Sequence, residues 1–406
     1  MDTRLDTRPG TRSNARLSRW LAAAALLSLL GGCASFSESA MNPMNWFSGN
    51  SGVKPTPLTD LKPSLALTRA WSASVGGAGV YVFTPALVGN VVYAAAADGT
   101  LAAFDSQSGK QRWRIQANKG GLSAGVGADD TLVAVATVKG EVLAFDETGK
   151  EKWRAQVSSE VLSAPLVAEG VVLVRSNDNR IFAFSAADGK RQWVYQRTAP
   201  ALVLRNFANM VAYLGQAYVG FPGGKMVALA LSNGSLRWEA TVALPKGATE
   251  LERIADISSP PVLSGGQVCA VAFQGRAACF ETSNGQAVWA RDISSAAGMS
   301  LDSRYMFLTD DKSAVVALAR GTGASMWKQD RLLYRGLSAP LSVGTAVIAG
   351  DYEGILHGFS REDGALIARQ ATDGGSVIAA PQLMSIATKD AFIVQTQKGG
   401  LFVFTL

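Results

Sequence analysis

Short apolar runs broken by turn residues fill the chain from about residue 65 to its end. The first full unit reads Asn90-Val-Val-Tyr-Ala-Ala-Ala, a turn at Asp98-Gly99, Thr100-Leu-Ala-Ala-Phe-Asp105, a turn ending at Gly109, then Gln111-Arg-Trp113-Arg-Ile. Runs of four to eight residues bounded by Gly and Asp are strand signals, and Asp-Gly is a strong hairpin signal. The unit closes with a Gly-x-x-x-Trp element that recurs, ending at Trp113, Trp153, Trp193, Trp238, Trp289 and Trp327. A seventh copy, Gly364 to Ala368, has lost its Trp. A period near 40 residues built from short strands predicts a propeller, in which each four-stranded sheet buries both faces against its neighbours.

The repeat also counts the blades. Pro85 to Trp113, Pro165 to Trp193, Pro261 to Trp289 and Pro340 to Ala368 each span 28 residues. Counting the same distance back from Trp153, Trp238 and Trp327 gives starts at Gly125, Met210 and Met299. The C-terminal stretch from Pro381 supplies three strands and stops, while Leu67 to Val75, carrying Trp71, precedes the first blade as an unmatched outer strand. The expected fold is therefore all-β: an eight-bladed β-propeller of four-stranded antiparallel blades over residues 65–406. Its ring is closed by an N-terminal strand that completes the C-terminal blade and removes the open edges. Trp71, Trp113, Trp153, Trp193, Trp238, Trp289 and Trp327 are assigned to docking between blades, each burying on the order of 200 Å².

Composition changes this picture only at the N-terminus. The net charge of +6 includes five Arg and two Asp within the first nineteen residues, and the remainder holds 33 basic against 30 acidic residues. That balance, without a basic run interleaved with aromatics, sets nucleic acid aside. Arg4 to Arg19 and the apolar Trp20 to Leu30 form an export signal too short to span a bilayer. It ends Leu30-Gly-Gly-Cys33, which resembles a bacterial lipobox; an ordinary signal peptide with a chance Cys is the alternative. Residues 1–32 are read as a lipoprotein signal peptide, Cys33 as the lipidated residue, and 33–64 as a flexible Ser-, Asn- and Pro-rich tether. Ala34 after the Cys favours outer-membrane sorting, facing the periplasm.

Departures from a repeat are where function is expected. Connections between blades run 10 to 14 residues, except for 17 after Trp193 and 23 after Trp238. The first of these carries Leu202, Leu204, Arg205 and Phe207. The second is read as one helical turn bearing Glu250, Glu252, Arg253 and Asp256. An apolar ridge with an Arg beside an acidic loop has the composition of an interface hot spot; the competing reading is a pair of loops capping the central channel. The single His, His357, sits in a strand and gives no basis for a catalytic set. No Cys/His spacing suits a metal, and no Gly-rich loop cradles phosphate. Cys269 and Cys279 flank the Gln274-Gly275 turn: a two-residue turn would set Cys269 opposite residue 280 and the thiols on opposite faces, whereas a shifted register would allow a bridge.

The Ala-Phe-Asp105…Gly109-Lys-Gln-Arg-Trp113 pattern resembles the tryptophan-docking repeat of pyrroloquinoline-quinone propellers. Those enzymes hold quinone and Ca²⁺ with a vicinal disulfide, and this chain has no adjacent Cys pair. Together with the lipobox and the Leu202-Val-Leu204-Arg205 loop, the pattern looks like the BamB family of outer-membrane β-barrel assembly lipoproteins. That resemblance implies a monomeric, non-enzymatic scaffold without cofactor or metal, lipid-anchored at the periplasmic face of the outer membrane. It implies docking to BamA POTRA domains within the BAM complex through Leu202, Leu204, Arg205 and Asp256, with contact to unfolded outer-membrane proteins as a further expectation. The family's Asp-x-Asp is here Asp256-Ile-Ser258, so Glu250 or Glu252 would have to replace part of the acidic contact. A quinoprotein enzyme and a general envelope-binding propeller are the rival readings.

Overall fold

A computed structural model describes residues 54–198, 200–205 and 208–406. The signal segment 1–32, Cys33 and Phe207 lie outside the described residues. The described residues form eight four-stranded antiparallel sheets. Seven are consecutive meanders spanning Ala86–Gln116, Gly127–Gln156, Leu166–Gln196, Val211–Thr241, Val262–Asp292, Gly298–Gln329 and Leu341–Ala371. The eighth pairs Gln382–Ile386, Lys389–Gln395 and Gly400–Thr405 with the N-terminal strand Thr68–Ser74, so Trp71 stands opposite Val403. Ring closure is thus a strand exchange between the two ends of the domain. In each blade the second and third strands are mostly buried while the outer strand alternates exposed and covered residues, as expected for sheets stacked on both faces with one edge in water.

The Gly-x-x-x-Trp element joins adjacent blades reciprocally. Each of the seven indoles lies against the Gly of the next blade's element, from Trp71 on Gly109 to Trp327 on Gly364. Each donates its ring N–H to a carbonyl on that blade at 2.7–3.1 Å. These glycines adopt φ between +67° and +85°, and a Cβ on any of them would come within 3.1 Å of the indole. Both backbone and space therefore exclude a side chain. A one-residue bulge precedes the Trp, or Ala368 in blade seven, in every outer strand, as between Ala103 and Phe104 opposite Trp113. The bulge adds local twist and re-aims the side chain.

Ala368 now has an explanation. A Trp there would need a seat on the outer turn of blade eight, but that blade's outer strand comes from residues 68–74, so no turn leads into it from the third strand. Leu67 and Leu65 instead pack with Ala368, Phe404 and Leu406 in the seam between blades seven and eight.

One expectation is corrected, and two points the sequence left open are decided. First, the tether does not extend to residue 64 as a free linker. Thr56 N–H donates to the Leu333 carbonyl (3.0 Å), Arg369 donates to the Thr59 carbonyl (2.7 Å), and Ser64 and Leu65 donate to the carbonyl of Ile367 (3.0 Å). Ile367 is the bulged residue of blade seven, so its carbonyl is turned out of the ladder and free for this strap. Second, the turns between second and third strands are not two-residue hairpins. The register pairs Ala94 with Ala102 and Ala270 with Ala278, leaving an odd number of residues in each turn. Third, that same register sets Cys269 directly opposite Cys279, with Cα atoms 4.0 Å apart, and the two form a disulfide.

Candidate functional site

In a four-stranded meander, turns between second and third strands emerge on the same side as the connections leading to the next blade. Both long connections therefore lie on one face, beside the Phe221–Gly224 and Ala272–Gly275 turns. The second connection is built as a compact knob. Thr249 and Glu252 form a capping box: Glu252 N–H donates to Thr249 Oγ1 (3.3 Å), while the Glu252 carboxylate accepts from Ala248 and Thr249 N–H (2.8 and 3.1 Å). The Thr249 and Ala248 amides hold the Glu252 carboxyl below its ordinary range. Arg253 donates to the Gly247 carbonyl (3.0 Å) and pairs with Glu250 at 3.2 Å. Glu250 and Arg253 thus pair while main-chain amides take up Glu252, and the turn they form lifts Leu251 to 67 % exposure.

Ile254 to Ile257 return into the disc. Ile257 is fully buried against Gly220, where a Cβ would collide with it, and Phe273 N–H donates to the Asp256 carbonyl (2.9 Å). Asp256 itself is 1 % exposed. Its two carboxylate oxygens accept from Leu204 N–H at 2.7 Å and Gly223 N–H at 2.9 Å. Burial pushes its pKa up, opposed by those two amides and by the positive charge of Arg175. The sequence reading made Asp256 a surface contact; the structure places it inside, as the staple between the two long connections.

The first connection is held over the face of blades three and four. Leu202 is 40 % exposed and Leu204 half-buried. Arg205 reaches Glu160 of another connection at 3.3 Å and lies 5.8 Å over the Tyr81 ring beside the first blade. Exposed pairs of this kind contribute little stability, but they fix the direction of the guanidinium. With Leu244, 62 % exposed, the two connections present Leu202, Leu244 and Leu251 around Arg205's loop. The structure brings Leu202, Leu204, Arg205 and Asp256 together, with Glu250, Glu252 and Arg253 on the neighbouring knob.

Sequence reasoning missed Arg175. It ends the apolar run Val171–Ser176 and is buried beneath the first connection. It donates to the Gly220 carbonyl (2.8 Å) and stacks 5.1 Å over Phe221. Burial draws its pKa down to about 10, partly offset by Asp256. The signal was available: Arg175 is the charged residue in an otherwise apolar core strand, where charges are rare unless employed.

The chemistry of a catalytic centre is not assembled around His357. It is fully buried and hydrogen-bonds Asp351 at 3.0 Å, and Arg335 reaches the same carboxylate at 2.7 Å. Arg335 also contacts Glu353 and donates to the Thr56 carbonyl (3.3 Å), so this network clasps the strap. Among the described residues no group of three or more His, Cys, Asp or Glu gathers as a metal site would require.

The family model described as outer membrane protein assembly factor BamB matches residues 68–122 and 97–329. The chain belongs to the BamB family. The outer membrane protein assembly factor BamB of Bordetella pertussis is 44 % identical over 392 residues, covering 96 % of this chain and 98 % of that protein. The Burkholderia pseudomallei BamB is 42 % identical over 352 residues, covering 86 % and 91 %. Among solved structures, BamB from Moraxella catarrhalis superposes with a TM-score of 0.77 at 24 % identity, covering 84 % of this chain and all of that one. Quinohemoprotein alcohol dehydrogenase from Comamonas testosteroni superposes at 0.66 with 14 % identity, covering 84 % and 76 %. These two likenesses establish a shared eight-bladed architecture; the BamB assignment rests on the sequence relatives.

Proposed function

We propose that this propeller is a non-enzymatic scaffold of the β-barrel assembly complex, tethered by a lipid on Cys33 to the periplasmic face of the outer membrane. In this reading it docks BamA, through its POTRA domains, on the face that carries Leu202, Leu204 and Arg205. The observation that carries the reading is the Asp256 staple. One buried carboxylate holds both long connections in a single conformation, so that exposed leucines and Arg205 form a pre-set surface. Pre-organisation lowers the ordering cost of binding, and an aliphatic ridge beside an Arg is suited to a protein hot spot. Asp256 supports this surface from below, and the acidic border falls to Glu250. The burial of His357 and its use in the strap network argue for a structural role of that residue.

The test is co-purification of BamA with the mature chain carrying Leu204→Asp and Arg205→Glu. The expected result is loss of BamA with an unchanged thermal transition. Retention of BamA by this variant would overturn the docking surface.

A further inference from the structure

Four repeats carry a Ser two residues before their counted start at Gly125, Pro165, Pro261 or Pro340: Ser123, Ser163, Ser259 and Ser338. Ser123 donates its hydroxyl to the Val161 carbonyl (2.6 Å) and Ser338 to that of Ala339 (3.1 Å). Ser163 and Ser259 are equally buried, yet their hydroxyls meet no partner. Ser163 precedes blade three, and Ser259 ends the second long connection, just before blade five. Ser163 shares a small cavity with Arg175, Asn179, Val203, Leu204 and Pro222, with room for about one water-sized group. A guanidinium has five N–H donors, and Arg175 uses one on Gly220. Among the described residues no carboxylate lies within ion-pair distance of it.

Buried donors without acceptors are costly and are normally satisfied. Here they converge directly beneath Leu204, the centre of the proposed docking surface. Arg175 already has the charge of Asp256 nearby, so a second anion would leave the cavity with excess negative charge. An uncharged oxygen meets the unpaired donors without that penalty.

We propose that this cavity is a recognition subsite for the docked partner, accepting one main-chain carbonyl oxygen that Arg175 and Ser163 bind together. The inference rests on the docking reading above and adds the partner chemistry that reading lacks. The subsite makes docking sensitive to the partner's backbone placement, because only an oxygen presented at the Leu204 ridge reaches the donors.

The experiment measures equilibrium binding of the BamA POTRA region to the mature chain and three variants, with thermal transitions recorded in parallel. Ser163→Ala removes a hydroxyl that has no partner in the free protein. It is expected to leave the transition unchanged and weaken binding about three- to tenfold. Arg175→Lys keeps the charge but not the donor geometry, and is expected to weaken binding at least about tenfold. Leu204→Asp is the control for docking itself. Loss of binding by Leu204→Asp with no change in Ser163→Ala would overturn the subsite and keep the docking face. Full binding by Leu204→Asp would overturn the docking face. The Ser163→Ala loss is expected to be equal at low and high salt; a loss that disappears at high salt would mean a carboxylate occupant and would overturn the carbonyl assignment.

Discussion

Replacing Asp256 with Ala separates a staple from a surface contact. The carboxylate is 1 % exposed and accepts two main-chain N–H groups, Leu204 at 2.7 Å and Gly223 at 2.9 Å. Its removal leaves both amides without their acceptor, at about 1–3 kcal/mol each. Against this stands relief of the carboxylate's own desolvation, the dominant influence raising its pKa. The balance is a loss of about 2–4 kcal/mol, concentrated in the first connection. Leu204 is on a connection that can detach locally, so most of the loss goes into opening that segment rather than unfolding the disc. If the docking-competent form then falls to between a tenth and a hundredth of the population, apparent affinity for BamA falls about ten- to a hundredfold.

Hydrogen exchange reads this directly: protection of the Leu204 amide should drop by a comparable factor in Asp256→Ala, while core amides such as Val227 stay protected. Asp256→Asn keeps one acceptor oxygen and is expected to fall between the two. Asp256 is not the staple if Leu204 remains protected in Asp256→Ala, or if the amide opens freely and BamA affinity does not move.

Other perturbations test the frame that carries this site. Changing both Cys269 and Cys279 to Ala opens a loop with a sequence separation of 10, and chain-entropy arguments assign it about 3 kcal/mol; urea midpoints of the parent and variant check this. Gly234→Ala forces a side chain into a φ of +69° and against Trp193. A loss of about 2–4 kcal/mol and a changed Trp emission are expected, and an unaltered denaturation curve would contradict the reciprocal seat. His357 is held below its ordinary pKa by burial, although Asp351 opposes this and Arg369 and Arg335 assist it. The unfolded chain therefore binds the proton more readily, so the His357 contribution is present above about pH 6.5 and is lost as pH falls towards the folded-state pKa. Stability measured from pH 7.5 to 5.5 should decline in the parent and decline less in His357→Gln.

What the sequence made legible was periodic. The 28-residue spacing placed every blade start, and the orphan strand at Trp71 foretold the closure. Cross-strand register was not legible, because a turn of two or three residues leaves the same Gln274-Gly275 signal while reversing which side chains face each other. That single parity decided the disulfide. The candidate surface was legible as two overlong connections, since excess length survives any error in register. Burial within those connections was not: Asp256 and Glu250 are equally acidic in sequence, and only the position of Leu204 and Gly223 amides turns one of them inward. Residues 54–64 read as tether because Pro and Ser suppress any period, yet they are fixed by carbonyls displaced at a bulge and by Arg335 and Arg369.

The missing Trp and the strap follow from one topological fact. A ring closed by strand exchange ends its last blade without an outer turn, so one seam cannot use the indole-on-glycine joint that secures the other seven. Leu65 and Leu67 fill that seam, and a strap that must supply them has to run along blade seven, where Ile367 and Arg369 hold it. The strap crosses from the Leu333–Arg335 connection, on the face of the long connections, to the opposite rim before entering the sheet at Thr68. Thr56 therefore lies on the same face as Leu202 and Arg205, but at the seam of blades six and seven rather than at blades three to five. The closing seam and the proposed docking face are thereby separated around the ring, so a partner on the leucine ridge would leave in place the strap that completes the fold.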